Sequence, residues 1–219
     1  MNKSFNIKFF ATIILQLFGI SLWAQDASVL SIVENINSSK ANQQIGQTVD
    51  DKIFVAQQYF ENEQYENALN GDGNNVGFLE IVKEYGTTKT GKLAAYYAGI
   101  CFMKLGRYEK AISYLKKYDN KDQIFSAMAL GCIGDCYMEL NDLQNAVSYY
   151  DRAATETFNE FTSPMFLLKK GMTCEMLGDY SSALNAYQTL RKEYPNSNEA
   201  FEISTSIAYC EKMLNSANK

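Results

Sequence analysis

The chain of 219 residues contains no histidine. That removes serine–histidine–aspartate and cysteine–histidine nucleophile pairs, most zinc enzymes and the commonest general base near neutral pH. No GxGxxG, GxxxxGK(S/T) or GxSxG motif occurs either, so the usual dinucleotide, phosphate and nucleophile-elbow loops are missing. Basic residues are scarce: 20 Lys and Arg stand against 25 Asp and Glu, a net charge of −5. Such a balance disfavours nucleic acid, whose phosphates require Lys and Arg. It also leaves no polybasic cluster for anionic lipid. The expectation is a protein that is not an enzyme, with no cofactor, no metal and no small-molecule substrate.

Two weaker chemical signals can be weighed directly. Asn70–Asn75 alternates Asn, Asp and Gly in a manner suggestive of calcium. The calcium-loop template wants Gly at its sixth place and Glu at its twelfth, where this chain has Asn75 and Ile81. The default for that stretch is a surface loop. The five cysteines, Cys101, Cys132, Cys136, Cys174 and Cys210, all fall within helical patterns. Cys132 and Cys136 are four apart, a spacing that suits neither a zinc knuckle nor a CxxC redox pair. They read as small buried hydrophobes. A disulfide between equivalent sites, such as Cys101 and Cys136, is the alternative.

The chain opens with Lys3 and Lys8, followed by an uncharged, mostly apolar run over 9–24 that ends in small residues, Ser21 and Ala24. This is the shape of a secretory signal peptide or, if uncleaved, of an N-terminal membrane anchor at the short end of bilayer-spanning length. Without residues 1–24 two lysines are lost and the net charge of −5 becomes −7. Residues 25–48 are rich in Ser, Asn and Gln and read as a polar linker, with a short helix around Val29–Ile36. The expected location is outside the cytoplasm: periplasmic, either soluble or tethered to the inner membrane through residues 9–24.

From residue 49 helical periodicity takes over. In Lys92–Tyr118, Ala95, Ala98, Gly99 and Phe102 fall at i, i+3, i+4 and i+7. After Leu105-Gly106-Arg107, Tyr108, Ala111, Ile112, Leu115 and Tyr118 form a second such face. Gly106 sits where a tight turn needs a permissive backbone. The pattern recurs with small anchors at Ala68, Ala111, Ala146 and Ala183, which stand 43, 35 and 37 residues apart. Each later anchor has a small residue twelve positions before it, Gly99, Gly134 or Gly171, and Ala146 and Ala183 have a large one four after, Tyr150 and Tyr187. Ala56 and Tyr65 mark a weaker first copy, interrupted over 70–77 by Asn70-Gly71-Asp72-Gly73-Asn74-Asn75.

A period of roughly 34 with this pattern resembles the tetratricopeptide repeat. Pro195, twelve residues after Ala183, matches that family's closing proline. The resemblance implies an all-α, right-handed solenoid of helix pairs over 49–216: about four repeats and a C-terminal capping helix. It implies a fold more than a function, because function lives in sites grafted on such scaffolds. The interrupted first copy, GDGNN…GFLEI followed by AAYYAG, is also similar to a bacterial family of small envelope repeat proteins. Some of those carry one N-terminal anchoring helix and associate with the protein-export channel; here the apolar run is short and no long cytosolic head precedes it.

Seven methionines follow residue 24, and six of them lie on one stripe along the first helices of the repeats. In order, the stripe comprises Leu93, Tyr96, Ile100, Met103 and Lys104; then Met128, Gly131, Asp135, Met138 and Glu139; then Met165, Leu168, Met172, Glu175 and Met176. In the proteins it resembles, this stripe lines the concave groove that holds peptides. Methionine is flexible and polarizable and suits varied apolar partners, while Asp135, Glu139 and Glu175 would favour basic flanks. Lys104 is the sole cation among these fifteen positions, against capture of a terminal carboxylate. Packing between helices, or occupation of the groove by the chain's own linker or last helix, would use the same residues. The function expected is a non-catalytic protein-interaction module of the cell envelope, an adaptor or holdase-like helper that binds apolar segments of other proteins. The alternative is a structural subunit of a larger envelope assembly whose groove is permanently filled.

Overall fold

The computed structural model describes residues 49–119, 122–156 and 158–217. The signal or anchor at 1–24 and the linker at 25–48 lie outside them. The described residues form helices and connections, without strands. A first helix, α1, covers 49–61. It is followed by α2 (Tyr65–Asn70), α3 (Phe78–Tyr85), α4 (Lys89–Lys104), α5 (Tyr108–Leu115), α6 (Gln123–Glu139), α7 (Leu143–Thr155), α8 (Ser163–Met176), α9 (Tyr180–Glu193), α10 (Asn198–Glu202) and α11 (Ser204–Ala217). Consecutive helices pack on one another, α4 on α5, α6 on α7 and α8 on α9, with α5 against α6 and α7 against α8 joining the pairs. The result is an all-α solenoid.

The same turn ends the first helix of each pair. Glu63, Gly106, Asn141 and Gly178, each five residues before its small anchor, all have positive φ, between 56° and 74°. In each case the next residue's N–H reaches back over the helix end: Gln64 to Tyr59 O, Arg107 to Phe102 O, Asp142 to Tyr137 O and Asp179 to Cys174 O, at 2.8–2.9 Å. This left-handed helix stop satisfies carbonyls that would otherwise be orphaned. Glycine adopts it without strain at two of the four turns. The shared turn at Glu63 places the interrupted pair in register with the others, although Glu is an unusual residue for it.

In the last two pairs the second helix is then capped by a side chain in the same place. Asp142 accepts from Asn145 N–H and Asp179 from Ser182 N–H. At the pair-to-pair connections Thr88 accepts from Gly91 N–H and Asp122 from Phe125 N–H. Pro164 occupies the first turn of α8, where a missing N–H costs nothing.

Within each of the three later pairs the two helices meet at a glycine. A Cβ on Gly99 would stand 2.5 Å from the Leu115 side chain, on Gly134 2.6 Å from the Tyr150 ring, and on Gly171 2.3 Å from the Tyr187 ring. The large residue four after each anchor therefore lies flat on the partner helix. In the first pair that position holds Asp72, so α2 stops and the loop intervenes. Asp72 accepts from the N–H groups of Asn75 (2.7 Å) and Asn74 (2.9 Å) and from the Tyr59 hydroxyl (2.7 Å). Those donors, the Asn75 N–H foremost, hold its carboxyl well below the usual carboxylate range. The carboxylate thus closes its own turn, and α3 resumes with Phe78, fully buried and stacked on Tyr97 at 5.4 Å between ring centres.

The interior falls into two clusters, one from Val49 to Cys136 and one from Ala127 to Cys210, with Met128 and Tyr137 packed against both. All five cysteines are buried free thiols; the disulfide alternative is not realised. The terminal helix expected after Pro195 is broken into α10 and α11 at buried Ile203. Ser204, Thr205 and Ser206 follow, residues that hold a helix weakly. Tyr194, 3% exposed at the end of α9, is the buried side chain whose hydroxyl has no hydrogen-bond partner among the described residues. Leaving a buried hydroxyl unpaired costs about 1–3 kcal/mol. Tyr194→Phe is therefore expected to leave the urea-unfolding free energy unchanged or raise it by about 1 kcal/mol; a loss above about 1 kcal/mol would show that the hydroxyl is engaged.

Candidate functional site

The C-terminal ends of α4, α6 and α8 stand side by side and frame a cleft of about 540 Å³. Met103 and Lys104 come from α4, Asp135, Met138 and Glu139 from α6, and Lys169, Met172, Thr173 and Met176 from α8. Tyr108 and Tyr150 reach in from the second helices. Seven residues of the counted stripe meet here: Met103, Lys104, Asp135, Met138, Glu139, Met172 and Met176. They gather because, toward the C-terminal end of each first helix, residues three or four apart share one face, and stacking the pairs brings those faces into a row.

The remaining stripe residues sit elsewhere. Tyr96 is buried, with Phe125, Tyr118 and Tyr97 within 5.4–5.8 Å of its ring centre. Ile100 and Leu93 pack on the first core cluster, Met165 and Leu168 on the second, and Met128 on both. Gly131 is covered: a Cβ there would stand 1.9 Å from the Phe166 ring. Glu175 accepts from the Tyr187 hydroxyl at 2.5 Å. The N-terminal half of the stripe is thus packing between pairs, and its C-terminal half is the open cleft.

The charge pattern also differs from the count. Asp135 is not a free anion. It accepts from Lys169 at 2.7 and 2.9 Å and from the Tyr150 hydroxyl at 2.6 Å. Lys169 also lies over the Tyr150 ring, 5.6 Å from its centre. Burial, with Asp135 next in weight, drives the Tyr150 phenol far above its ordinary value, so the hydroxyl stays a donor. One ion pair and one hydrogen bond tie α6, α7 and α8 together on the cleft floor. Exposed Glu139 accepts from Tyr108 at 3.3 Å. Lys169, Tyr150 and Thr173 escape a count confined to the stripe because they sit one position off it or on the second helix. Lys169 adds a second cation to the cleft, already engaged by Asp135.

The apolar part of the cleft is graded. Met103 and Met138 are partly buried against the core, while Met172 and Met176, one turn apart on α8, are 54% and 62% exposed. Thr173 donates its hydroxyl to Lys169 O at 2.8 Å and lies 3.5 Å from the Met138 sulfur. Behind the cleft, burial pushes the thiols of Cys132 and Cys136 up to about 12, the opposite of a reactive cysteine. Among the described residues no group of three or more Cys, Asp or Glu is placed to hold a metal ion.

A second cleft, of about 610 Å³, lies on another face of α6, beside Leu115, Tyr118, Ala129 and Ile133. Its cations are occupied. Lys116 and Arg152 both lie over the Tyr149 ring, and Arg152 is held by Glu156 at 2.6 Å. Among the described residues no helix is long and apolar enough to cross a membrane.

Comparison with protein families gives matches that follow the helix pairs. One model of the tetratricopeptide repeat matches residues 93–122 and 166–197. A second tetratricopeptide-repeat model matches residues 130–158. Each match begins within a first helix and runs through the second helix of the same pair. Comparison with curated proteins finds no match. Such repeats are generally non-catalytic scaffolds on which other proteins dock. The shared left-handed turns, the glycine crossings and these matches together make the chain a tetratricopeptide repeat protein, a module for binding other proteins.

Proposed function

We propose that the protein is a non-catalytic adaptor or holdase-like helper of the bacterial cell envelope, which receives apolar segments of partner proteins in the methionine cleft. The observation that carries this reading is the pair Met172 and Met176, more than half exposed on the rim of a cleft floored by Met103 and Met138. Large apolar side chains exposed together on a concave surface mark an interaction site, and methionine adapts to segments of differing shape. Glu139 at the rim and the net charge of −5 favour segments with basic flanks. The apolar run at 9–24 supports export to the periplasm, with the protein free or tethered through that run.

The test pairs a defined ligand with capture in cells. Full-length protein is titrated into a fluorescein-labelled amphipathic peptide of leucine and lysine, and compared with the double variant Met172→Asp, Met176→Asp. Both residues are outside the core, so the variant keeps its circular dichroism spectrum. The expected result is a loss of peptide affinity of about tenfold or more, with parallel loss of the proteins crosslinked in cells. Equal affinity in the folded variant would rule the cleft out as the binding site. Capture of one partner in fixed ratio would instead identify a structural subunit.

A further inference from the structure

The methionines of this chain differ in how far solvent reaches them. Met103, Met128, Met138, Met165 and Met213 are partly buried. Met172 and Met176 are 54% and 62% exposed, and both line the cleft. Being four residues apart on α8, they occupy one face of it. Their cleft neighbour Met138 is partly buried, with the Thr173 hydroxyl oxygen 3.5 Å from its sulfur. The thiols that would ordinarily compete for an oxidant are all buried. Burial also pushes Cys101, Cys132 and Cys136 up to about 12, so little thiolate exists near neutral pH. Met172 and Met176 are therefore the sulfur side chains most open to solvent among the described residues.

We propose that Met172 and Met176 are a reversible oxidation site, and that their sulfoxides close the cleft to apolar segments. The inference rests on the cleft being the binding site and names how that site is regulated. The oxidant is a peroxide. A lone pair on the methionine sulfur attacks one peroxide oxygen; the S–O bond forms as the O–O bond breaks. Sulfur loses two electrons, and hydrogen peroxide is reduced to water. The return step is a thiol-dependent sulfoxide reduction: two thiols supply two electrons and two protons, the oxygen leaves as water, and a disulfide forms on the reductant. The sulfoxide is polar and a strong acceptor. An apolar segment seated against it would have to strip its water without supplying a donor. Both sulfurs lie outside the core clusters, so oxidation alters the rim and leaves the packing intact.

The experiment treats full-length protein with graded hydrogen peroxide and maps each methionine by peptide mass spectrometry. Affinity for the fluorescein-labelled leucine–lysine peptide is measured before treatment, after it, and after incubation with methionine sulfoxide reductases. Met172 and Met176 are expected to oxidise about tenfold faster than Met103, Met138 and Met165. The circular dichroism spectrum and thermal midpoint should stay unchanged, affinity should fall about fivefold or more, and reduction should restore it. In the Met172→Leu, Met176→Leu variant, whatever its starting affinity, peroxide should cause no further change. Oxidation spread evenly over all methionines would overturn the proposal, as would peptide binding that survives complete oxidation of the pair. Absence of peptide binding before any treatment would overturn the cleft reading, and the switch with it.

Discussion

Phe166→Ala is expected to lower the urea-unfolding free energy by about 3–5 kcal/mol. Phe166 is 1% exposed, stacks on Tyr150 at 6.4 Å between ring centres, and covers Gly131 of the preceding pair. It is the point where α8 is keyed to α6, so its removal leaves a cavity at a joint between repeats. Gly131→Ala approaches the same contact from the other side. Its Cβ would stand 1.9 Å from the ring, and a buried ring has little room to shift, so a cost of about 1–3 kcal/mol is expected. In the Phe166→Ala background that methyl enters vacated space and the cost should largely vanish. The pair should therefore be strongly non-additive in a double-mutant cycle. Additive losses would mean that the two residues do not share the contact.

The second large effect is alkaline unfolding. Burial holds the thiols of Cys101, Cys132 and Cys136 at about 12 in the folded chain, against an ordinary 9.0. In the unfolded chain they release their protons from about pH 9 upward. Between those values the unfolded state binds fewer protons than the folded state, so stability present below pH 9 is lost as pH rises toward 12. Each such thiol contributes about 1.4 kcal/mol per pH unit, hence roughly 4 kcal/mol per unit for the three. Cys174 and Cys210 are shifted upward by burial as well, and Tyr96, Tyr150 and Tyr187 act in the same direction at higher pH. A domain of ordinary stability should not survive such a slope to pH 12. Circular dichroism followed from pH 8 to 11.5 should show cooperative loss of helix, and Cys136→Ala should flatten the slope by about 1.4 kcal/mol per pH unit. Full helicity at pH 11.5 would show that the thiols are not protected by the fold.

Much of this architecture is local, and for that reason legible without coordinates. The small anchors Ala111, Ala146 and Ala183, with Gly99, Gly134 and Gly171 twelve residues earlier, define the crossings because a helix pair joined by a three-residue turn has one way to bring those positions together. Gly106 and Gly178 announce their turns by residue type and Asn141 does so more weakly; Glu63 makes the same turn without that signal, and only the repeat spacing points to it. The break at Ile203 carries no proline or glycine and has only a weak run of Ser and Thr to suggest it.

The cleft was legible in part. Counting along a helix finds a face but not what covers it. Met128, Gly131 and Met165 share the stripe with Met172 and Met176, yet the first three meet packed neighbours and the last two meet solvent. Charge was the least readable feature. Asp135 looks like a free anion in the sequence because its partner Lys169 is 34 residues away and on another helix. The sequence by itself determined the helix pairs, their turns and their period, since each depends on contacts within about forty residues. The tertiary structure alone decided which part of the methionine stripe stays open and which charges are neutralised. Both are set by how one pair stacks on the next, at separations no local pattern records.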